Sequence, residues 1–264
     1  MPRRLALRGV ALLYLLVILL APLAMIFYRT FQHGLEPVWQ TLSDPDTVHA
    51  FKITLLAAAV AVPLNTVFGI LCALAVVRRR FRGKGILNAF IDLPLAISPV
   101  VVGLALYLLY DRTGWFGPWL QARGIQVLFA FPAIVLATIF VSVPFVAREV
   151  IPTLRELGNE QEQAAATLGA TRWQRFWRIT LPSIRWAVIY GVILTTARCL
   201  GEYGAVAVVS GRIVGKTETA TTLIDDMIQN FQTGGAYAVA VVLAVIAVAV
   251  LVLMTLTKPR EETA

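Results

Sequence analysis

Six stretches of the chain stay apolar for about as long as a helix needs to cross a bilayer, roughly 20 residues at 1.5 Å rise each. They fall at about residues 10–28, 53–77, 86–110, 127–150, 186–209 and 237–256. The third contains Pro94 and Pro99, and the fourth contains Pro132 and Pro144. Prolines inside spans are tolerated where neighbouring helices satisfy the freed carbonyls. The first run follows Arg3, Arg4 and Arg8 in the manner of a signal peptide. It is too long for a leader's apolar region and no small-residue cleavage site closes it, so an uncleaved first span is expected. Between the fourth and fifth runs lie about 30 mostly polar residues, and a connector of that length between membrane helices usually has a function.

Composition agrees with this reading. Hydrophobic residues make up 58% of the chain and charged residues only 14%, with a mean hydropathy of +0.76. A soluble domain carries more charge. The expected class is an all-α polytopic membrane protein of one domain, 1–264.

Charge gives the orientation. The net charge is +8. Sixteen Lys and Arg fall on one side of the spans: at the N-terminus, in the run Arg78 to Lys84, between Arg148 and Arg185, and in the tail. Six fall on the other side, and Arg198 lies within the fifth run. Acidic residues divide six against seven. The Lys and Arg bias predicts that both termini are cytoplasmic, which an even number of spans also requires. The bilayer thus accounts for the basic balance, and no nucleic-acid-binding motif accompanies it. Cys72 and Cys199 lie in apolar runs, and His33 and His49 in one polar loop, so neither a disulfide framework nor a metal site is expected. No convergent acid, base or metal set suggests a catalytic site.

The long connector reads Gln163-Ala164-Ala165-Ala166-Thr167-Leu168-Gly169, nine residues, then Ile179-Thr180-Leu181-Pro182. It predicts two short helices. The first covers 158–168, with Glu160 and Glu162 at its start and Gly169 free to close it in a left-handed cap. The second covers 171–179 and ends at Pro182. Trp173, Phe176 and Trp177 form an aromatic stripe on it, with Arg172, Arg175 and Arg178 on a neighbouring face. By periodicity alone such a helix could lie on the membrane surface.

The spacing of these residues resembles the EAA signature of ABC importer permeases, in which E-A-A is followed by three residues, G, nine residues and I-x-L-P. Ala164, Ala165, Gly169, Ile179, Leu181 and Pro182 match it. Gln163 stands where the family has Glu, and Glu162 is one residue earlier, about 100° away on a helix. The resemblance implies that this loop docks in a cytoplasmic ATPase and transmits its closure to the membrane helices. Asp92-Leu93-Pro94, Ser98-Pro99-Val100-Val101, the stretch Gly114 to Trp119 and the stretch Ala197 to Ala205 resemble the sulfate, thiosulfate and molybdate branch. Val208 to Gly211 with Gly215 to Thr219 is similar to the W-type sulfate permeases.

This likeness implies the type I importer fold with six transmembrane helices in a bacterial inner membrane. Residues 1–50 would form a first span and external loop, 51–257 a five-helix importer unit, and 258–264 a cytoplasmic tail. The implied partners are two copies of an ATP-binding subunit, a T-type permease and an external sulfate-binding protein. No cofactor is implied. Molybdate or tungstate remains an alternative cargo, and a stand-alone secondary transporter an alternative class.

Arg198 and Glu202 stand four residues apart in the outer half of the fifth run. Buried charges there must face protein or water. They could be a structural ion pair, or Arg198 could line the anion path with Ser98 while Glu202 holds it. Two other motifs lead elsewhere. Gly211 to Thr217 is one residue short of a P-loop, and Ser210 stands where the missing Gly would be. The basic run at Arg78 to Lys84 reads as a positive-inside anchor, with anionic lipid as the alternative.

Overall fold

The computed structural model describes residues 2–257, and no strand occurs among them. α1 (Pro2–Phe31) carries the first apolar run, and α2 (Glu36–Ser43) leaves it at 94°. α3 (Pro45–Arg78) is capped by Asp44, whose carboxylate accepts the Asp46 N–H at 3.2 Å. Pro45 takes the first helical position, where a missing N–H costs nothing.

The span expected over 86–110 is not one straight helix. α4 (Lys84–Ala96) and α5 (Pro99–Tyr110) meet at 111°. Ile97 and Ser98 between them are extended, with ψ of 138° and 135°. Pro99 explains this, because the residue before a proline is driven out of the helical region. α6 (Gly117–Gln121) is a single short turn. α7 (Phe131–Ser142) and α8 (Pro144–Glu156) behave differently, running on as one 26-residue span. Val143 keeps helical angles before Pro144 (φ −49°, ψ −43°). Val141, Ser142, Val146 and Ala147 around it are all buried, so packing overrides the local preference.

α9 (Glu160–Thr167) and α10 (Arg172–Arg175) follow. The expected second short helix does not stop at Pro182. It runs through one π-helical turn (Phe176–Thr180) into α11 (Leu181–Leu200), and the whole spans 29 residues from Arg172. Pro182 has no N–H and would crowd the carbonyl one turn back. The wider π turn just before it accommodates both defects. At the other end α11 stops at Leu200, nine residues short of the expected boundary at 209. The chain then forms α12 (Gly204–Val209), α13 (Ala220–Gln229) and α14 (Thr233–Thr257).

Among the described residues four helices are long and apolar enough to cross a membrane, and up to six spans result if each bent pair counts as one. α3, α8 and α11 form the centre of the bundle. Val146 of α8 sits between two glycine notches: a Cβ on Gly69 of α3 would meet Val146 Cβ at 2.7 Å, and one on Gly191 of α11 would meet Val146 Cα at 2.7 Å. Small residues that bring backbones together are the usual means of packing helices in lipid. A buried polar link crosses the same bundle. Asn65 Nδ2 donates to the Ile139 carbonyl (3.1 Å) and to Ser142 Oγ (2.7 Å), and Cys199 Sγ lies 3.4 Å from the same oxygen. Leu55, Leu64, Val67, Phe68 and Leu71 of α3 remain exposed, as an apolar face does when its solvent is lipid or a second subunit.

Candidate functional site

Two places gather the residues singled out in the sequence, one at each end of the bundle. At the first, α9 stands off the end of α3 and α11. Gly169 takes φ +85°, and the helix closes in a Schellman motif. Gly169 N–H donates to the Ala166 carbonyl (3.1 Å) and Ala170 N–H to the Ala165 carbonyl (3.0 Å). Thr167 Oγ1 donates to the Ala164 carbonyl at 2.7 Å. Leu168 at the tip is 87% exposed, so the helix presents a large apolar side chain with nothing over it. Thr171 then caps α10 in a capping box with Gln174.

Glu162 holds this segment to the spans. Its Oε1 accepts from Arg78 at 2.9 Å (Nη2) and 3.1 Å (Nε), and from Thr180 Oγ1 at 3.0 Å. Arg175 Nη1 donates to the Glu162 carbonyl at 3.4 Å. One carboxylate therefore joins α9 to the end of α3 and to the π turn. Gln163, at the position the signature gives to Glu, is exposed. Glu162, one residue before the signature position and about 100° away on the helix, makes the inward contact instead. Ile179 lies in the π turn and its carbonyl accepts from Ser183 Oγ at 2.7 Å. Leu181 packs on the core cluster around Val146 and Ile184, and Pro182 occupies the first turn of α11. Arg78 and Thr180 were missed because no local pattern connects residue 78 to residue 162.

At the opposite end of α11, Arg198 Nη1 lies 2.6 Å from Glu202 Oε2. Glu202 is only 4% exposed although it lies just past the end of the helix. Its other oxygen accepts the Ala205 N–H at 2.9 Å, and its carbonyl accepts Thr221 Oγ1 at 2.6 Å. Glu202 thus joins three helices, its carboxylate tying α11 to α12 and its main-chain carbonyl holding α13. Arg198 keeps 29% of its side chain open. Ser98 is exposed at the break between α4 and α5. The structure brings that break beside α12, since a Cβ on Gly204 would lie 3.0 Å from Pro99 Cβ, and one on Gly103 would lie 2.7 Å from the Ala205 carbonyl.

A second network covers this end. Arg212 Nη1 reaches Asp225 (2.6 Å) and Asp226 (2.9 Å), and its Nη2 donates to Tyr203 Oη (2.9 Å). Tyr203 in turn donates to Asp225 at 2.8 Å. That hydrogen bond, with those from Arg212 and Gln229, outweighs burial and holds the Asp225 carboxyl below the usual range. Glu218, 2% exposed, goes the other way. Burial, then Asp226 and the charge of Asp46, push its carboxyl up to about 7. In the sequence this loop stands out for its likeness to the W-type permeases and as an incomplete P-loop, and neither pattern points to Arg212. Arg212, with φ +50°, forms an ion-pair hub there.

Comparison with known proteins gives a consistent result. Residues 65–263 match the family described as binding-protein-dependent transport system inner membrane component. The sulfate transport system permease protein CysW of Synechococcus elongatus is 51% identical over 90% of this chain and 84% of its own length. The sulfate transport system permease protein CysT of Escherichia coli K12 is 42% identical over 89% of this chain and 85% of its own. Among solved structures, a bacterial alginate ABC transporter in complex with its pentasaccharide-bound periplasmic protein superposes with a TM-score of 0.80 at 19% identity, covering 98% of this chain and 94% of that one. The all-α fold is that of the type I importer permeases, and the chain belongs to the binding-protein-dependent transport system inner membrane component family.

Proposed function

We propose that this chain is the permease subunit through which sulfate enters the cytoplasm in an ATP-driven importer, with a T-type permease beside it, two ATP-binding subunits below and a sulfate-binding protein outside. The observation that supports this best is the anchored α9, whose apolar tip at Leu168 is exposed while Glu162 fixes its base to α3 and the π turn. The likeness to sulfate permeases over nine-tenths of the chain supports the cargo. The similarity to both CysW and CysT fits a paired permease. Sixteen Lys and Arg on the α9 side against six on the other favour cytoplasmic termini.

In this reading α9 is the coupling helix. Closure of the ATP-bound subunits pushes on α9, and the Glu162 tether passes the movement to α3 and α11. At the far end of α11, the joint of Arg198 and Glu202 moves with α12 and α13, which opens the path to the outside. Arg198, with a third of its side chain free, would then face the anion near Ser98. Three sulfate oxyanion relatives, thiosulfate, molybdate and tungstate, share the dianionic charge, so the test must separate them.

The test is labelled sulfate uptake in cells lacking the gene, with the gene returned on a plasmid, and with excess molybdate or thiosulfate as competitor. Uptake that disappears, returns on complementation and survives molybdate supports the proposal. Uptake unaffected by the deletion rejects sulfate as the cargo. Gly169→Asp, placed at the positive-φ cap, is expected to spare insertion and to reduce capture of the ATPase subunit from membranes.

A further inference from the structure

The last two turns of α3 and the elbow between α10 and α11 border an open pocket of about 540 Å³. That size is within the range of roughly 300–1,000 Å³ typical of ligand pockets. Its walls are divided by polarity. Leu71, Leu74 and Phe176 line one part, and four guanidinium groups, Arg78, Arg79, Arg172 and Arg175, line the other. Leu71, Leu74, Arg78 and Arg79 follow at helical spacing, so the apolar and basic parts lie one above the other along α3.

The basic part is not neutralised. Glu162 is the carboxylate in the lining, and it already accepts from Arg78 and Thr180. The side chains of Arg79 and Arg172 are exposed and make no ion pair among the described residues. The Nε of Arg175 is buried without a hydrogen-bond partner. Trp173 (70% exposed) and Trp177 (49% exposed) stand beside the pocket on the same elbow. Exposed tryptophans of this kind sit at the level of lipid head groups.

We propose that this pocket holds the head group of an anionic phospholipid, with the phosphate against Arg79, Arg172 and Arg175 and the upper acyl chain along Leu71, Leu74 and Phe176. A phosphate supplies the negative charge that three of the arginines lack, and a lipid alone also fills the apolar wall. The proposal requires only that this end of the bundle meets a membrane surface, and it stands or falls apart from the identity of the transported anion. A lipid here would brace the elbow through which α9 acts on α11.

The experiment uses the purified importer with its partner subunits, stripped in detergent and titrated with phosphatidylglycerol or phosphatidylcholine of equal chain length. Native mass spectrometry counts the lipid retained. The wild type is expected to retain phosphatidylglycerol in preference to phosphatidylcholine. Arg79→Gln with Arg172→Gln is expected to weaken that retention by roughly twenty-five-fold, from about five-fold per arginine near a membrane surface. Arg80→Gln with Arg82→Gln removes the same charge from the loop that follows Arg79, outside the pocket, and is expected to change little. Inorganic phosphate in large excess is expected not to displace the lipid. The proposal is overturned by unchanged retention in the first double variant, or by an equal fall in both. It is equally overturned by displacement with inorganic phosphate, or by no preference in the wild-type complex, as when a partner subunit fills the pocket.

Discussion

If α9 is the coupling helix proposed above, replacing Glu162 with alanine will separate ATP hydrolysis from transport. The carboxylate accepts two bonds from the Arg78 guanidinium and one from Thr180, with side-chain exposures of 20% for Glu162 and 18% for Arg78. A hydrogen bond to a charged group contributes about 1.5–3 kcal/mol net, and partial solvent screening lowers the total here to about 2 kcal/mol, or roughly 30-fold in the ratio of tethered to free α9. The outward face of α9 is untouched, so the ATPase subunits still bind. Sulfate uptake per ATP hydrolysed in reconstituted vesicles is expected to fall by about ten-fold or more. Arg78→Ala will behave alike, and the double variant will be little worse than either single one, because both remove the same contact. Unchanged uptake per ATP in the single variants, or fully additive losses in the double, would refute the tether.

Three further outcomes follow from the geometry. Gly191→Ala puts a Cβ 2.7 Å from Val146 Cα in the centre of the bundle, and overpacking of that kind costs about 1–3 kcal/mol, readable as a lower Tm of the purified complex. Arg198→Gln leaves the buried Glu202 carboxylate unpaired and is expected to reduce the amount of folded protein. Adding Glu202→Gln restores the amount, and uptake stays low if Arg198 faces the anion but recovers if the pair is only structural. Glu218, whose carboxyl rises to about 7 in the fold from an ordinary value of 4.5, binds more protons folded than unfolded between those values. Its contribution is therefore largest at and below pH 4.5 and is lost as pH rises through about 7, so Glu218→Gln will flatten the fall of Tm across that window.

Much of the fold was legible because lipid imposes a simple rule, that long apolar runs become helices. Gly169 was legible too, since a glycine after an alanine-rich helix is the least costly left-handed cap. Three features were not. The break at Ile97 and Ser98 and the unbroken chain at Val143 follow the same proline signal to opposite ends, and only burial around Val143 decides between them. The π turn at 176–180 depends on how Pro182 is accommodated against the carbonyl one turn back, which a hydropathy pattern does not record. The ion pair of Arg78 and Glu162 joins residues 84 apart in sequence, and Arg78 read in isolation is one basic residue among several in its loop. Local sequence therefore placed the segment, and tertiary contact determined what holds it.

The most direct test of the importer account is reconstitution of this permease with the T-type permease, ATP-binding subunits and sulfate-binding protein proposed as its partners in sealed vesicles, followed by radiolabelled sulfate. The expected result is accumulation inside the vesicles only when ATP is on the ATPase side and the binding protein on the other. Accumulation that proceeds without ATP, driven by an ion gradient alone, would contradict it.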